Sequence, residues 1–378
     1  KRQSLSNQSD FSWTLDNLIY YDKEFGKHSV GLTLLQSATG YHYEESSMAA
    51  EGIPLESAKW NALSKENVSL LDEWNSGLIE KQLLSYMFRV NYDYNNKYLL
   101  TVSGRWDGAS QLAEGNKWAF FPSAALGWRL DQEEFLKDVT WLNQLKFRLG
   151  VGVTGNSAID PYQTKGAIVS LYYPFGSALA PGYAASEPLI KDGAVAMANK
   201  NLSWEKTTQY NIGLDYSVLN GRISGVLDFY TSRTTDLLMA MTIPSLNGYT
   251  NTYANVGKTS NIGVDITLNT VNVKTRDFEW STSINAAWQK DKIDELANGK
   301  EDDINNNWFI GQALGVIYGY ECGGLWKEED AAEMAKFNAK GHSFQAGMVR
   351  PIDQNGDYKI DPNDDRVIIG HTLSLIHI

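Results

Sequence analysis

Tyr86-Met-Phe-Arg-Val-Asn-Tyr-Asp93 resumes after Asn95-Asn96 as Tyr98-Leu-Leu-Thr-Val-Ser-Gly-Arg-Trp-Asp107, and the pattern returns in Ser123-Ala-Ala-Leu-Gly-Trp-Arg-Leu-Asp131 and Leu145-Lys-Phe-Arg-Leu-Gly-Val-Gly152. Tyr86, Phe88, Val90 and Tyr92 share one face of the first run, with Met87, Arg89, Asn91 and Asp93 on the other. In the second, Tyr98, Leu100, Val102 and Trp106 oppose Thr101, Ser103, Arg105 and Asp107. The third sets Leu126 and Trp128 against Gly127, Arg129 and Asp131, and the fourth sets Phe147 and Leu149 against Lys146, Arg148 and Gly150. A period of two defines strands, each with one oily and one wet face.

Similar alternation runs through much of the 378 residues, which favours one continuous β architecture over two or three ordinary domains. No apolar run approaches the ~20 residues of a membrane-spanning helix, a test that transmembrane β-strands escape because only every second residue meets lipid. Aromatic residues are abundant: 12 Trp, 20 Tyr and 13 Phe suit either a sandwich core or the interfacial girdles of a barrel. A net charge of −12 argues against a nucleic-acid groove. Cys322 is the single cysteine, so a disulfide framework is excluded. The chain opens at Lys1 without a signal-peptide pattern and reads as an internal fragment; residues 373–378 fit no element and read as a non-native tail.

A first hairpin is expected from Phe11 to Gln36, then a long polar segment from Ser37 to Ile79 with a short helix over Pro54–Leu63. The four organising strands follow. A Tyr-, Pro- and Gly-rich loop from Asn156 to Trp204 precedes hairpins turning at Asn220-Gly221 and at Lys274–Asp277, separated by another long loop, Thr234–Lys258. Beyond Asp291 polar segments, a helix at Glu328–Ala339 and an acidic loop are expected, with no further strand. The organisation expected is therefore barrel strands with external loops over residues 1–290, a long external loop region over 291–372, and the tail. Connections alternate short and long across about ten strands, which outer-membrane barrels require and sandwiches or propellers do not. The fold class expected is all-β: a partial transmembrane antiparallel up-and-down β-barrel with long extracellular loops.

Particular residues carry a family resemblance. Gly104-Arg-Trp-Asp-Gly-Ala-Ser110, Lys117-Trp-Ala-Phe-Phe-Pro-Ser123, Gly127-Trp-Arg129, Gly152-Val-Thr-Gly-Asn156, Leu202-Ser-Trp-Glu-Lys-Thr207 and Asn211-Ile-Gly213 come in order, with Thr235-Asp-Leu-Leu238, Asn255-Val-Gly257, Asn261-Ile-Gly263 and Tyr318-Gly-Tyr320 downstream. Together they resemble the barrel of SusC/RagA-type TonB-dependent outer-membrane transporters of Bacteroidetes. The sequence departs from that pattern at Trp106, where a small residue is expected, and at Gln111-Leu112. The resemblance implies about ten strands of a barrel of about 22, in the Gram-negative outer membrane. It also implies import of oligosaccharides or peptides with a SusD-like surface lipoprotein, driven through the TonB complex by way of an N-terminal region absent here, and no enzymatic activity. The lipid bilayer and its lipopolysaccharide would be the surroundings. The alternative class is a secreted carbohydrate-binding or carbohydrate-active β-sandwich or propeller.

Candidate sites are few. Asp353, Asn355, Asp357, Lys359 (through its backbone carbonyl), Asp361 and Asp364 follow the order of an EF-hand loop and offer oxygen ligands to Ca²⁺, although Tyr358 stands where glycine is required and the last ligand is Asp rather than Glu. The same residues also suit an Asx-rich turn. Tyr162, Tyr172, Tyr173, Phe175, Tyr183, Tyr249, Tyr253, Trp308 and Phe309 are loop aromatics that could stack on a ligand or pack on one another. Arg89, Arg105, Arg129 and Arg148 are expected to face the lumen, and Tyr86, Phe88, Val90, Tyr98, Leu100, Trp128 and Leu149 the lipid. Gly150-Val-Gly-Val-Thr-Gly155 matches a dinucleotide fingerprint by letter only, because no helix follows it. The five histidines show no ligand spacing, and Cys322 has no His partner suggested nearby.

Overall fold

A computed structural model describes residues 2–52, 61, 70–165, 169–176, 178–184, 197–244 and 251–371. The strands of the wall are β1 (Arg2–Phe25), β2 (His28–Glu51), β3 (Leu70–Tyr94), β4 (Tyr98–Ala109), β5 (Trp118–Arg129) and β6 (Leu142–Asn156), then β9 (Glu205–Val218), β10 (Ile223–Thr235), β13 (Lys258–Lys274) and β14 (Glu279–Glu295). Two hairpins stand between them, β7 (Val169–Phe175) with β8 (Ala178–Ala184) and β11 (Leu238–Thr242) with β12 (Asn251–Asn255). After the wall come β15 (Val316–Tyr320), β16 (Cys322–Leu325), helix α1 (Ala331–Ala339), β17 (Val349–Pro351) and β18 (Arg366–His371). Among the described residues no helix is long and apolar enough to cross a membrane.

The ten wall strands form one antiparallel sheet in the order β1-β2-β3-β4-β5-β6-β9-β10-β13-β14. β1 and β14 end the order, so the sheet is an open arc, and no second large sheet among the described residues packs against it. That arrangement excludes a sandwich or propeller. At one rim the connections are Gly26-Lys27, 95–97, 130–141, 219–222 and 275–278, each of four residues or fewer except 130–141, which is folded into two 3-10 turns. Opposite them stand 52–69, 110–117, 157–204 and 236–257. The tight turns follow local chemistry: Asn95 (φ 56°) and Asn96 (φ 53°) both take the left-handed conformation of a primed hairpin turn, and Asp93 Oδ1 accepts the Asn96 amide at 2.7 Å.

Register carries the alternation from strand to strand. Val90 pairs with Val102 and that residue with Ala124, which pairs with Val151 and through it with Tyr210; Leu227 pairs with both Leu214 and Ile266. Trp106 and Phe120 pair on this face with rings 4.2 Å apart, and Tyr86 stacks on Trp118 at 6.2 Å. Trp106 thus belongs to a belt of rings near the long-loop rim. Tyr98 and Trp128 pair near the short-turn rim. From Trp118 to Trp128 the strand rises about 34 Å, or about 26 Å when tilted by ~40°, matching the ~25 Å apolar band of outer-membrane barrels.

Two expectations are corrected. The polar segment Ser37–Ile79 is strand over much of its described length, because β2 continues to Glu51 and β3 begins at Leu70, paired through Ala38↔Leu84, His42↔Glu80 and Met48↔Trp74. Strands that leave the bilayer meet water on both faces, so hydrophobic periodicity disappears while backbone pairing persists. Residues 53–60 and 62–69, where the helix over Pro54–Leu63 was expected, lie outside the described residues except for residue 61. The region after residue 291 does contain strands: β15 pairs with β18 and β16 with β17. Each is only a few residues long, below the length at which period two is legible. Helix α1 falls where the sequence placed it, preceded by a 3-10 turn at Glu328–Asp330. The hairpins β7–β8 and β11–β12 likewise interrupt the two long loops.

Candidate functional site

The polar face of the wall carries the densest ionic arrangement. Arg148 on β6 stands in register with Gly213 on β9, which pairs with Asp228 on β10. Arg148 donates through Nε to Asp215 at 2.9 Å and through Nη2 to both Asp228 oxygens at 3.0 Å, and Asn211 donates to Asp228 at 3.3 Å. Arg148 therefore reaches across a whole strand. Gly213 permits this, since a Cβ there would lie 2.6 Å from both Arg148 Cζ and Asp228 Oδ1. Asp265 on β13 is directly opposite Asp228, so the guanidinium offsets a row of carboxylates.

The other three arginines lie on the same face. Arg105 binds Asp107 at 2.6 Å and Ser85 at 2.8 Å; Arg129 binds Asp131 at 2.8 Å; Arg89 pairs in register with Ser103 and Thr33. Of the apolar set, Tyr86, Tyr98, Trp128 and Leu149 are solvent-exposed on the opposite face, in register with Phe88, Val90 and Leu100.

Arg148→Met, full-length in detergent, is expected to lose about 1–3 kcal/mol, because three partly exposed carboxylates are left uncompensated. Adding Asp215→Asn and Asp228→Asn is expected to restore most of that loss in denaturant titrations, whereas Arg148→Lys, which lacks the planar fork, is not.

At the long-loop end of the polar face, Trp204 packs edge-on against Phe121 with centroids 5.2 Å apart and shares a buried cluster with Ala109 and Leu112. Its indole N–H donates to the Lys117 carbonyl at 2.8 Å. Gly155 leaves room for the Phe121 ring, which a Cβ at that position would strike. Leu112, at one of the positions where the sequence departs from the family pattern, is 1% exposed and fills this cluster, while Gln111 donates to the Ser157 carbonyl at 3.0 Å. Residues from several of the family motifs, distant in sequence, thus form one plug of packed side chains, a juxtaposition that depends on strand register and that spacing does not reveal.

Among the described loop aromatics, Tyr162, Tyr253, Trp308 and Phe309 do not come together in one site. Tyr162 is exposed and its hydroxyl accepts the Glu80 amide at 3.3 Å; Phe309 is buried against Tyr318 at 4.8 Å; Tyr253 and Trp308 are half-buried. No ring contact joins these four. Tyr172, Tyr173, Phe175 and Tyr183 lie on the β7–β8 hairpin, and Tyr249 falls outside the described residues.

In the acidic loop the side chains turn onto their own backbone. Asp353 accepts the amides of Gly356 and Tyr358, both at 2.7 Å, Asn355 that of Asp357, and Asp357 that of Lys359. Asp361 accepts Asn363 and Asp364, and takes the Lys359 ammonium at 2.9 Å. Among the described residues no group of three or more His, Cys, Asp or Glu side chains is arranged to hold a metal. The loop is ordered as an Asx-rich turn, and Tyr358 adopts φ 63° where a calcium loop would place glycine.

Beyond the apolar band, His42 bridges two carboxylates, Glu80 at 3.0 Å and Glu44 at 3.1 Å. The hydrogen bond to Glu80, then that to Glu44, raises its pKa above the usual 6.5. A raised folded value means that the stabilisation is complete below pH ~6.5 and is lost as pH climbs through the raised pKa. Amide exchange at 40–46 and 76–82 is expected to accelerate over that rise, and His42→Gln is expected to remove the dependence.

An open antiparallel wall with an apolar band, two belts of aromatic rings and short turns at one rim defines a segment of an outer-membrane β-barrel. The family model for the TonB dependent receptor-like β-barrel matches residues 2–359, and the chain belongs to that family. TonB-dependent receptor P26 of Formosa agariphila is 32% identical over 374 residues, covering 96% of this chain and 36% of its own length. SusC of Bacteroides thetaiotaomicron is 38% identical over 255 residues, 65% of this chain and 24% of the relative. Among solved structures the RagAB peptide transporter superposes with a TM-score of 0.74 at 25% identity, over 85% of this chain and 35% of that one. The chain thus spans about a third of the length of these relatives or less. It is barrel wall of the SusC/RagA type, a family of outer-membrane receptors and transporters rather than enzymes.

Proposed function

We propose that this wall belongs to an active importer of oligosaccharides or peptides, working with a SusD-like surface lipoprotein and energised through the TonB complex. The polar face lines the lumen, with Arg89, Arg105, Arg129 and Arg148 directed inward. No residue has a catalytic role, and passage depends on loops and partner. The observation that carries the reading is the division of ten strands into an apolar face, which no second large sheet among the described residues covers, and an ion-paired face, as a wall between lipid and water requires. The likeness to SusC and to the RagAB peptide transporter supports the type of transporter.

Uptake by cells carrying the full-length gene tests it. Deletion is expected to abolish growth on one class, glycan or peptide, at limiting concentration while leaving growth on monomers intact. Co-purification with a surface lipoprotein encoded beside it is expected from the same cells. Unchanged growth on both classes would remove the importer reading.

A further inference from the structure

On the apolar face, beside the short-turn rim, Tyr92, Leu100, Leu126, Phe147 and Leu149 line a dish of about 440 Å³, and Tyr98 and Trp128 stand at its edge. Both edge residues turn their polar atoms to one carboxylate. Glu133, in the connection after β5, accepts the Tyr98 hydroxyl at 2.8 Å, the Trp128 indole N–H at 2.9 Å and the Lys97 ammonium at 3.1 Å. Lys97 and Glu133 side chains are only 16% and 14% exposed, so the cluster is built rather than draped on the surface. Those three donors, that of Trp128 first, hold the Glu133 carboxyl below its usual range.

In a bilayer every outward hollow meets hydrocarbon, so the dish alone sets where a chain lies and not which lipid lies there. The rim makes that choice. Glu133, Glu134 and Asp138 stand in the same connection as Lys137, which binds Glu134 at 2.6 Å, and Lys97 keeps two of its three ammonium donors beyond the one given to Glu133. A lipid of net negative charge meets more acid than base here. A headgroup carrying both a phosphodiester and an ammonium complements both signs.

We propose that this dish and its rim form a seat for one zwitterionic glycerophospholipid of the phosphoethanolamine type in the periplasmic leaflet. One acyl chain fills the dish, the phosphodiester faces Lys97 and the ammonium faces Glu134. The Glu133 carboxylate, fixed by three donors, holds Lys97, Tyr98 and Trp128 in place as a positioning residue.

The test uses the full-length protein in nanodiscs of equal parts phosphatidylethanolamine and phosphatidylglycerol, released into mild detergent, with retained lipids counted by native mass spectrometry. Wild type is expected to retain phosphatidylethanolamine over phosphatidylglycerol by about tenfold, the equivalent of one charge-assisted contact. Glu134→Gln, which removes the partner of the ammonium, is expected to bring the ratio near unity. Lys97→Gln, which removes the partner of the phosphodiester common to both lipids, is expected to lower retention of both, and Leu126→Trp, which fills the dish, to lower total retained phospholipid while the heat-modifiable folded form persists. Equal retention of the two lipids by wild type, a preference for phosphatidylglycerol, a ratio unmoved by Glu134→Gln, or retention of both lipids unmoved by Lys97→Gln would each overturn the seat. Unchanged retention in Leu126→Trp would overturn the dish as the chain's place.

Discussion

Val102→Arg is expected to destabilise the full-length barrel by about 2–4 kcal/mol, the cost of an arginine facing lipid near the bilayer midplane. Val102 is four residues from both Tyr98 and Trp106, which mark the two aromatic belts on β4, and it pairs with Val90 on one side and Ala124 on the other. Neither neighbour offers an acceptor, and a side chain at mid-band is far from either interface. The adjacent position provides the control. Ser103 shares a hydrogen bond of 2.6 Å with Ser123 on the polar face, so Ser103→Arg is expected to lose about 0.5–1.5 kcal/mol at most. Reversible unfolding in lipid vesicles compares the two. If both substitutions cost the same, the faces are not lipid and lumen, and the wall would be the core of a water-soluble sheet.

The same alternation explains what could be read beforehand. Tyr86 to Gly155 lies mostly within the apolar band, where each residue meets either lipid or water, so chemistry alternates with geometry and the strands announce themselves. Outside the band that coupling ends. His42, Glu44 and Glu80 lie on the same face as Leu34 and Phe88 yet are polar, because the extension of β2 and β3 has water on both sides. The ionic reach of Arg148 over Gly213 was legible only as two separate facts, an arginine on the polar face and a glycine in a strand. The register that joins them depends on which strands become neighbours, and β6 meets β9 across a long interruption in sequence. The acidic loop shows the converse: spacing proposed ligands, while side-chain direction, invisible in sequence, turned them onto backbone amides.

Trp204→Ala is expected to cost the long-loop end of the wall about 3–5 kcal/mol, the range for removing a buried large aromatic ring. Trp204 is 5% exposed and touches the rim from several directions: Phe121 from β5, Ala109 from β4 and Leu112 from the connection between them. Two hydrogen bonds tie the same segments together, Ala113 to the Leu202 carbonyl at 3.1 Å and Asn116 to the Asn201 carbonyl at 3.0 Å. Removing the indole opens a cavity and also takes away one of the two donors to the Lys117 carbonyl, leaving the Ala109 amide at 3.0 Å. Trp204→Phe keeps most of the ring and is expected to lose about 1 kcal/mol for the hydrogen bond, plus a smaller packing deficit. Hydrogen exchange localises the effect: amides of 109–117 and 199–206 should lose protection in Trp204→Ala while those around Val102 and Leu149 keep theirs. Protection lost equally across the band would mean that Trp204 supports the whole wall; none lost at the rim would mean that the loops are held by other contacts. The plug lies on the polar face, since Leu83, Ala109 and Phe121 share it with Arg105. A packed apolar cluster at the mouth of a polar surface fixes where the 157–204 loop begins and ends, so that its residues are presented from a rigid base.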